Sequence, residues 1–176
     1  MNITLSTKND SELYNSFQYV RLATNKNDHR PMCTCVHYRE GILLGTDGHR
    51  LHTATIRLPE LENGAYSIIK LNKREIILER EPAISVPDRA WNFTTPEKKA
   101  VIVHGTYPIS AMDSANVYRL IAKLGIIDIN NRDHGYNYTY LADALFFGAD
   151  KISRNPGGLL IIETANHAAA IMIMRL

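Results

Sequence analysis

Residues 42–58 read Ile-Leu-Leu-Gly-Thr-Asp-Gly-His-Arg-Leu-His-Thr-Ala-Thr-Ile-Arg-Leu, and this stretch decides the fold class. Two runs rich in apolar and β-branched residues flank Asp47-Gly48. Such side chains suit a pleated, half-buried surface. Glycine accepts a left-handed backbone position, and Asp bonds neighbouring amides. The stretch therefore reads strand, turn, strand, over 42–46 and 51–58. Just upstream, residues 32–38 alternate and are rich in Cys, Thr and Val, which predicts another half-buried strand. Arg39-Glu40-Gly41 is a tight turn, so 32–38 and 42–46 form a hairpin. Strands joined this tightly pair antiparallel, because a parallel pair needs a long crossover.

Outward from this centre the pattern repeats. Residues 2–5 read as a strand. Asn9 opens a helix, with Glu12 three residues on as a capping box. Leu13, Phe17, Val20 and Ala23 then recur at helical spacing, and 25–30 is polar loop. Downstream, 59–64 is loop and 66–71 strand. Asn72 and Glu75 make a second capping box, predicting a short helix that carries Ile76, Ile77 and Leu78 and ends at Pro82. Strands are expected at 83–86, 90–95 and 99–105. Strand, helix and three strands, repeated, predicts an α+β fold with helices on one face of antiparallel sheet. The stretch 106–135 is less regular. Ser114 caps a helix through Val117, Leu120, Ile121 and Leu124, and 128–135 is linker. A third unit follows: strand at 136–138, helix at 139–148, a turn at Asn155-Pro156-Gly157-Gly158, and a hairpin of 159–164 with 168–174.

The chain has 176 residues, enough for one domain or one plus a fragment. Hydrophobic residues make up 45% and charged residues 22%, which excludes global disorder. Twenty Lys and Arg against 18 Asp and Glu give +2, so bulk charge neither demands nor forbids a polyanionic partner. Any nucleic-acid contact has to come from charge clustered on one face. Cys33 and Cys35, one residue apart on one strand, point the same way and do not suit a disulfide. The opening residues MNITLSTKND lack a basic and then apolar leader, so no signal peptide is expected. Apolar runs such as 76–78, 144–147 and 168–174 fall far short of the ~18 residues of a membrane span. The expected setting is cytoplasmic, with no membrane.

No nucleophile elbow, P-loop or dinucleotide motif is present, and Gly157-Gly158 after Pro156 serves a turn. Asp47, His49 and His52 are residue types that ligate metals. His49 and His52, however, lie three apart where a turn enters a strand, which sends them to opposite sides. A polar turn accounts for Asp47 and Gly48 but leaves His49-Arg50 unexplained.

Thr46-Asp47-Gly48-His49-Arg50-Leu51 resembles the signature hexapeptide of the bacterial DNA polymerase III beta subunit, the sliding clamp, in its middle domain. The likeness extends along the chain. Tyr66-Ser67-Ile68-Ile69 and then residues 73–80 resemble the strand and helix that follow. Gly105-Thr106-Tyr107-Pro108, then Tyr118-Arg119-Leu120-Ile121, resembles the family's Gly-x-Phe-Pro-Asp-Tyr-x-Arg-Val segment with an insertion. Residues 136–145 resemble a strand and helix of the last domain. Met172-Ile173-Met174-Arg175-Leu176 resembles the closing Met-Pro-Met-Arg-Leu, with Ile173 in place of Pro. The resemblance implies a DNA-clamp-like fold of repeated strand-helix-three-strand units. Residues 1–108 would match the middle domain, 109–135 connect, and 136–176 form a half-domain like the end of the last clamp domain. The alternative is one expanded clamp-like domain.

In that family, partners dock short peptide motifs into a pocket at the junction of the middle and last domains. The matching positions are Thr46, Gly48, His49, Arg50, Leu51, Pro108, Ile121, Met172, Met174, Arg175 and Leu176. Leu51, Pro108, Ile121 and the methionines would form an adaptable apolar slot. Arg50 and Arg175 would orient polar or acidic groups. Without the family, Met172 and Met174 read as core residues of a final strand. The resemblance also implies encirclement of duplex DNA by helices whose Lys and Arg meet phosphates without reading sequence. The candidates are Arg21, Lys26 and Arg30 around the first helix, and Lys73, Arg74 and Arg80, with Lys70, around the second. Glu75, Glu79 and Glu81 interleave there, and a solvated face explains that mix equally well. Closure around a duplex needs several copies.

The implied function is a clamp-like processivity factor of DNA replication or repair, an accessory of a DNA polymerase and not an enzyme, without cofactor. As a homo-oligomer it would bind duplex DNA non-specifically and recruit polymerase-type partners. The alternative is a binding module or decoy that forms no ring. The third reading is a metal-dependent hydrolase using Asp47, His49 and His52.

Overall fold

The computed structural model describes residues 2–8, 10–91, 100–102, 134–147, 149–154, 159–172 and 174–175. The chain divides into two compact units, Met1–Asn92 and Phe93–Leu176.

The first unit holds strand β1 (Asn2–Ser6), helix α1 (Ser11–Leu22), and strands β2 (Val36–Arg39), β3 (Ile42–Thr46), β4 (Arg50–Thr55), β5 (Gly64–Leu71) and β6 (Glu75–Glu81). The sheet order is β1-β6-β5-β2-β3-β4, antiparallel at every pairing. Helix α1 lies on the face of β3, β4 and β5. It buries Leu13, Phe17 and Val20, with Ser16 and Tyr19 beside them. Burying a side chain such as Phe17 contributes about 2 kcal/mol relative to leaving it in water. The helix comes unusually close to the sheet at Gly45 of β3. A methyl group added there would lie 2.3 Å from the Val20 carbonyl oxygen.

The α+β class and the central hairpin agree with the sequence reading, and several local expectations are corrected. The cap of α1 is Asp10, whose carboxylate accepts from the Leu13 N–H at 2.8 Å. Residues 32–38 are not one strand. Pro31–Cys33 forms a 3-10 turn, which Pro31 favours at its first position, and β2 begins only at Val36. Cys33 and Cys35 are both buried, free thiols.

The largest correction falls at 72–81. Asn72 does accept backbone N–H bonds, from Arg74 at 2.8 Å and Glu75 at 2.9 Å. The chain then enters β6 and not a helix. Ile76 and Leu78 are fully buried while Ile77 between them is half-buried, a period of two. Pairing to β1 on one side and β5 on the other satisfies the backbone. Residues 83–86 are not strand, and Asp88–Ala90 is a 3-10 turn.

The second unit contains β7 (Ala100–Ile102), β8 (His134–Gly135), α2 (Tyr138–Ala144), β9 (Lys151–Arg154), β10 (Leu160–Glu163), β11 (His167–Ile171) and β12 (Met174–Arg175). Strands β7-β9-β10-β11 form an antiparallel array, and β12 pairs with β8. Asn137 caps α2 by accepting from the Thr139 and Tyr140 N–H groups. The short strand thus lies at 134–135, just before the expected 136–138, and Tyr138 is helical. Leu141, Ala144 and Leu145 are buried, as are Leu160, Ile162, Ala169 and Ile171. The 160–163 and 167–171 hairpin forms as expected, closed by Thr164 N–H to the His167 carbonyl at 2.8 Å. The expected domain boundary at 108, nearly all of the 109–135 connection, the Ser114 helix and the 155–158 turn lie outside the described residues.

Candidate functional site

The turn at 46–50 is built almost entirely by its own side chains. Thr46 Oγ1 donates to the Arg50 carbonyl at 2.7 Å and accepts from the Gly48 N–H at 3.0 Å. Asp47 Oδ1 accepts from the His49 and Arg50 N–H groups at 2.9 and 3.0 Å. Its other oxygen takes the Arg50 Nε–H at 3.0 Å, with both side chains about nine-tenths buried. A charge-assisted pair withdrawn from water is stronger than an exposed one, provided both partners remain.

A second arginine braces the same turn from outside. Arg30 donates to the Asp47 carbonyl at 2.6 Å and makes a forked pair with both oxygens of Asp28, at 2.9 and 2.8 Å. Hydrogen bonds from Arg30 hold the Asp28 carboxyl well below the usual carboxylate range, and Asp28 holds the Arg30 guanidinium charged. Gly48 sits at φ +84°, where other residues are strained. An added methyl would also strike the Arg30 guanidinium at 2.3 Å. The product is a rigid turn that leaves His49 exposed and Leu51 half-buried.

The three residues of the metal reading do not converge. His49 is exposed, both Asp47 oxygens are occupied, and His52 is fully buried against α1. His52 stacks on the Tyr19 ring at 4.5 Å, and its Nδ1 lies 2.9 Å from the Tyr19 carbonyl. Its Nε2 is buried without a hydrogen-bond partner among the described residues. Burial pushes its pKa down to about 4, so it stays neutral. Among the described residues no group of three or more His, Cys, Asp and Glu is placed to hold a metal.

Of the pocket positions, Thr46, Gly48, His49, Arg50 and Leu51 come together in this one turn. In the second unit, Met172 follows β11 and is 51% exposed, which does not fit a core methionine. Met174 and Arg175 lie in β12, opposite Gly135 and His134. Pro108, Ile121 and Leu176 lie outside the described residues.

The six DNA candidates separate into two groups. Arg30 is spent on Asp28 and the turn, and Arg80 is paired with Glu62. Lys70 likewise pairs with Glu75. Arg21, Lys26, Lys73 and Arg74 are exposed and have no ion-pair partner among the described residues. Arg21 and Lys26 line a groove of about 310 Å³ at the C-terminal end of α1, with the hydroxyl residues Thr34 and Ser67 on its wall. Lys73 and Arg74 stand on the β5–β6 turn and not on a helix, which corrects their expected setting. The bracing by Arg30 was invisible in the sequence because its contact with Asp47 spans 17 residues.

Solved structures share this architecture over the whole chain. The sliding clamp of Pseudomonas aeruginosa, solved with a ligand, is 13% identical with a TM-score of 0.58, and 66% of it is covered. The beta subunit of Thermotoga maritima is 12% identical at 0.58, again with 66% covered. That of Borrelia burgdorferi, in complex with a natural product, is 13% identical at 0.57, with 63% covered. The fold is that of part of a sliding clamp. The chain spans about two thirds of these clamps' length. No protein-family model matches the sequence, and no curated protein matches it either. The clamp likeness is therefore carried by backbone architecture. Among the described residues no helix is long and apolar enough to cross a membrane.

Proposed function

We propose that this protein is a clamp-like, non-catalytic accessory factor of DNA replication or repair, acting in the cytoplasm. It holds duplex DNA without sequence preference and recruits polymerase-type partners through short peptide motifs. The observation that carries this reading is the clamp architecture covering the entire chain. The 46–51 turn supplies the peptide-facing residues Thr46, Gly48, His49, Arg50 and Leu51. Pro108, Ile121, Met172, Met174, Arg175 and Leu176 complete the proposed lining. Arg21 and Lys26 supply phosphate contacts, which need charge and not base-edge geometry. Several copies assemble, because one chain of this size cannot surround a duplex.

A second reading is a clamp-like module that binds the same partners without a ring. It is favoured by one observation: Arg30 and Arg80, two of the six expected DNA contacts, are engaged in ion pairs.

Light scattering across protein concentration, with and without closed-circular and linear duplex, separates the readings. Oligomers that stay on circular DNA in high salt but slide off linear DNA are expected. A monomer at every concentration with no duplex binding would remove the ring reading. A fluorescein-labelled peptide carrying a polymerase clamp-binding motif is expected to bind the wild type and to lose affinity for the Arg50→Ala, Met172→Ala variant. Equal binding to both would overturn the pocket.

A further inference from the structure

The β5–β6 turn does something that its expected helix could not. It is tied back to the segment before α1: the Thr7 N–H donates to the Arg74 carbonyl at 2.9 Å, and Thr7 Oγ1 donates to the Asn72 carbonyl at 3.2 Å. This tie carries Lys73 to the flank of α1, beside Lys8. The two lysines face Ser11, Tyr14 and Asn15 across a groove of about 550 Å³.

The groove's polar groups are all unspent. Neither Lys8 nor Lys73 has an ion-pair partner among the described residues, and the side chains of Ser11, Tyr14 and Asn15 make no hydrogen bond there. Of the carboxylates near in sequence, Asp10 accepts the Leu13 N–H with one oxygen as the helix cap, and Glu75 pairs with Lys70. Two ammonium groups, two hydroxyls and a carboxamide therefore line one groove. The two ammonium charges set the preference of this lining for an anion, and the hydroxyl and carboxamide N–H donors suit a tetrahedral oxyanion.

We propose that Lys8, Lys73, Ser11, Tyr14 and Asn15 form a phosphate-binding subsite. The recognised chemistry is a phosphate oxyanion, from a DNA backbone or from a free phosphate. The DNA source rests on the functional reading above. In that case α1, twelve residues and so about 18 Å long, carries a cationic groove at each end. Arg21 and Lys26 hold one phosphate run and Lys8 with Lys73 the other. The uncharged, half-buried Gln18 lies along the helix between the two.

The test uses the full chain and a Lys8→Gln, Lys73→Gln variant, which changes only exposed side chains and is expected to melt with the wild type. Anisotropy of a labelled duplex is measured across salt, and amide shifts are followed during titration with inorganic phosphate. A salt slope shallower by about 1.8 for two lost phosphate contacts is expected, with phosphate shifts at residues 8, 11, 14, 15 and 73. An unchanged slope with no phosphate shifts, while the wild type binds duplex, overturns the subsite and leaves the DNA reading standing. Phosphate shifts without duplex binding, or without a change in slope, keep the subsite and assign it to a free phosphate. Neither shifts nor duplex binding overturns both.

Discussion

The turns at Asp47 and Asn72 use the same local device and serve opposite ends. In each, one side-chain oxygen accepts the N–H groups of residues two and three positions on. Each turn hands the chain to an antiparallel strand, β4 or β6. The difference lies in what surrounds the shared device. Asp47 is charged and buried, pairs with Arg50, and is braced by Arg30. Asn72 is neutral, and its turn leaves Lys73 and Arg74 exposed in solvent. A turn locked in place can present a fixed surface to a shaped partner. A turn with free cations suits an anion whose position need not be exact.

The comparison breaks most directly at the two anchoring residues. Asp47→Ala removes the carboxylate paired with a mostly buried Arg50 and is expected to lower stability by about 3 kcal/mol in denaturant titration. Asn72→Ala removes only a pair of partly exposed hydrogen bonds and is expected to cost about 1 kcal/mol. Similar losses at the two positions would mean that the environments do not differ as described.

A pH titration of stability sharpens the contrast, since β4 after the first turn carries His52 and β6 after the second carries no histidine. His52 must stay neutral in the folded state, where burial lowers its pKa from 6.5 to about 4. Its contribution is complete above pH 6.5 and drains away as pH falls to 4, because only the unfolded chain takes the proton in that window. The loss amounts to roughly 3 kcal/mol. His37, which burial also shifts downward, acts in the same direction. His52→Leu should therefore give a shallower but still sloping profile, and an unchanged slope would refute the assignment.

Gly48→Ala combines the positive φ with displacement of Arg30 and should cost about 2 kcal/mol. Lys73→Ala, on the other turn, should change stability by less than about 0.5 kcal/mol. Thermal melts of the two variants side by side check both values.

The same two turns explain how far the sequence could be read. The central hairpin was legible because alternation and Arg39-Glu40-Gly41 agree. Helix α1 was legible because Leu13, Phe17 and Val20 keep helical spacing. At Asn72 the local signal was shared by two structures, since an Asn that accepts downstream amides begins a helix or turns a hairpin. What decided was the β-branched Ile76-Ile77 and the vacancy between β1 and β5, and the latter is tertiary. The hexapeptide at 46–51 pointed to the turn through its clamp resemblance. The roles of Arg30, and of Lys8 beside Lys73, depend on segments 17 and 65 residues apart, which no local pattern reports.

The placement of β6 also governs the order in which the first unit can be assembled. Asn2 pairs with Glu79, and Ser6 with Glu75. During synthesis the first strand is therefore made long before β6, its partner among the described residues, exists. Helix α1 and the β2–β3–β4 meander can close from nearby residues, whereas β1 must wait as an unpaired edge. Contacts of such long sequence separation slow folding and leave a sticky strand exposed meanwhile. A truncation before residue 81 should thus yield an aggregation-prone chain and not a smaller folded one.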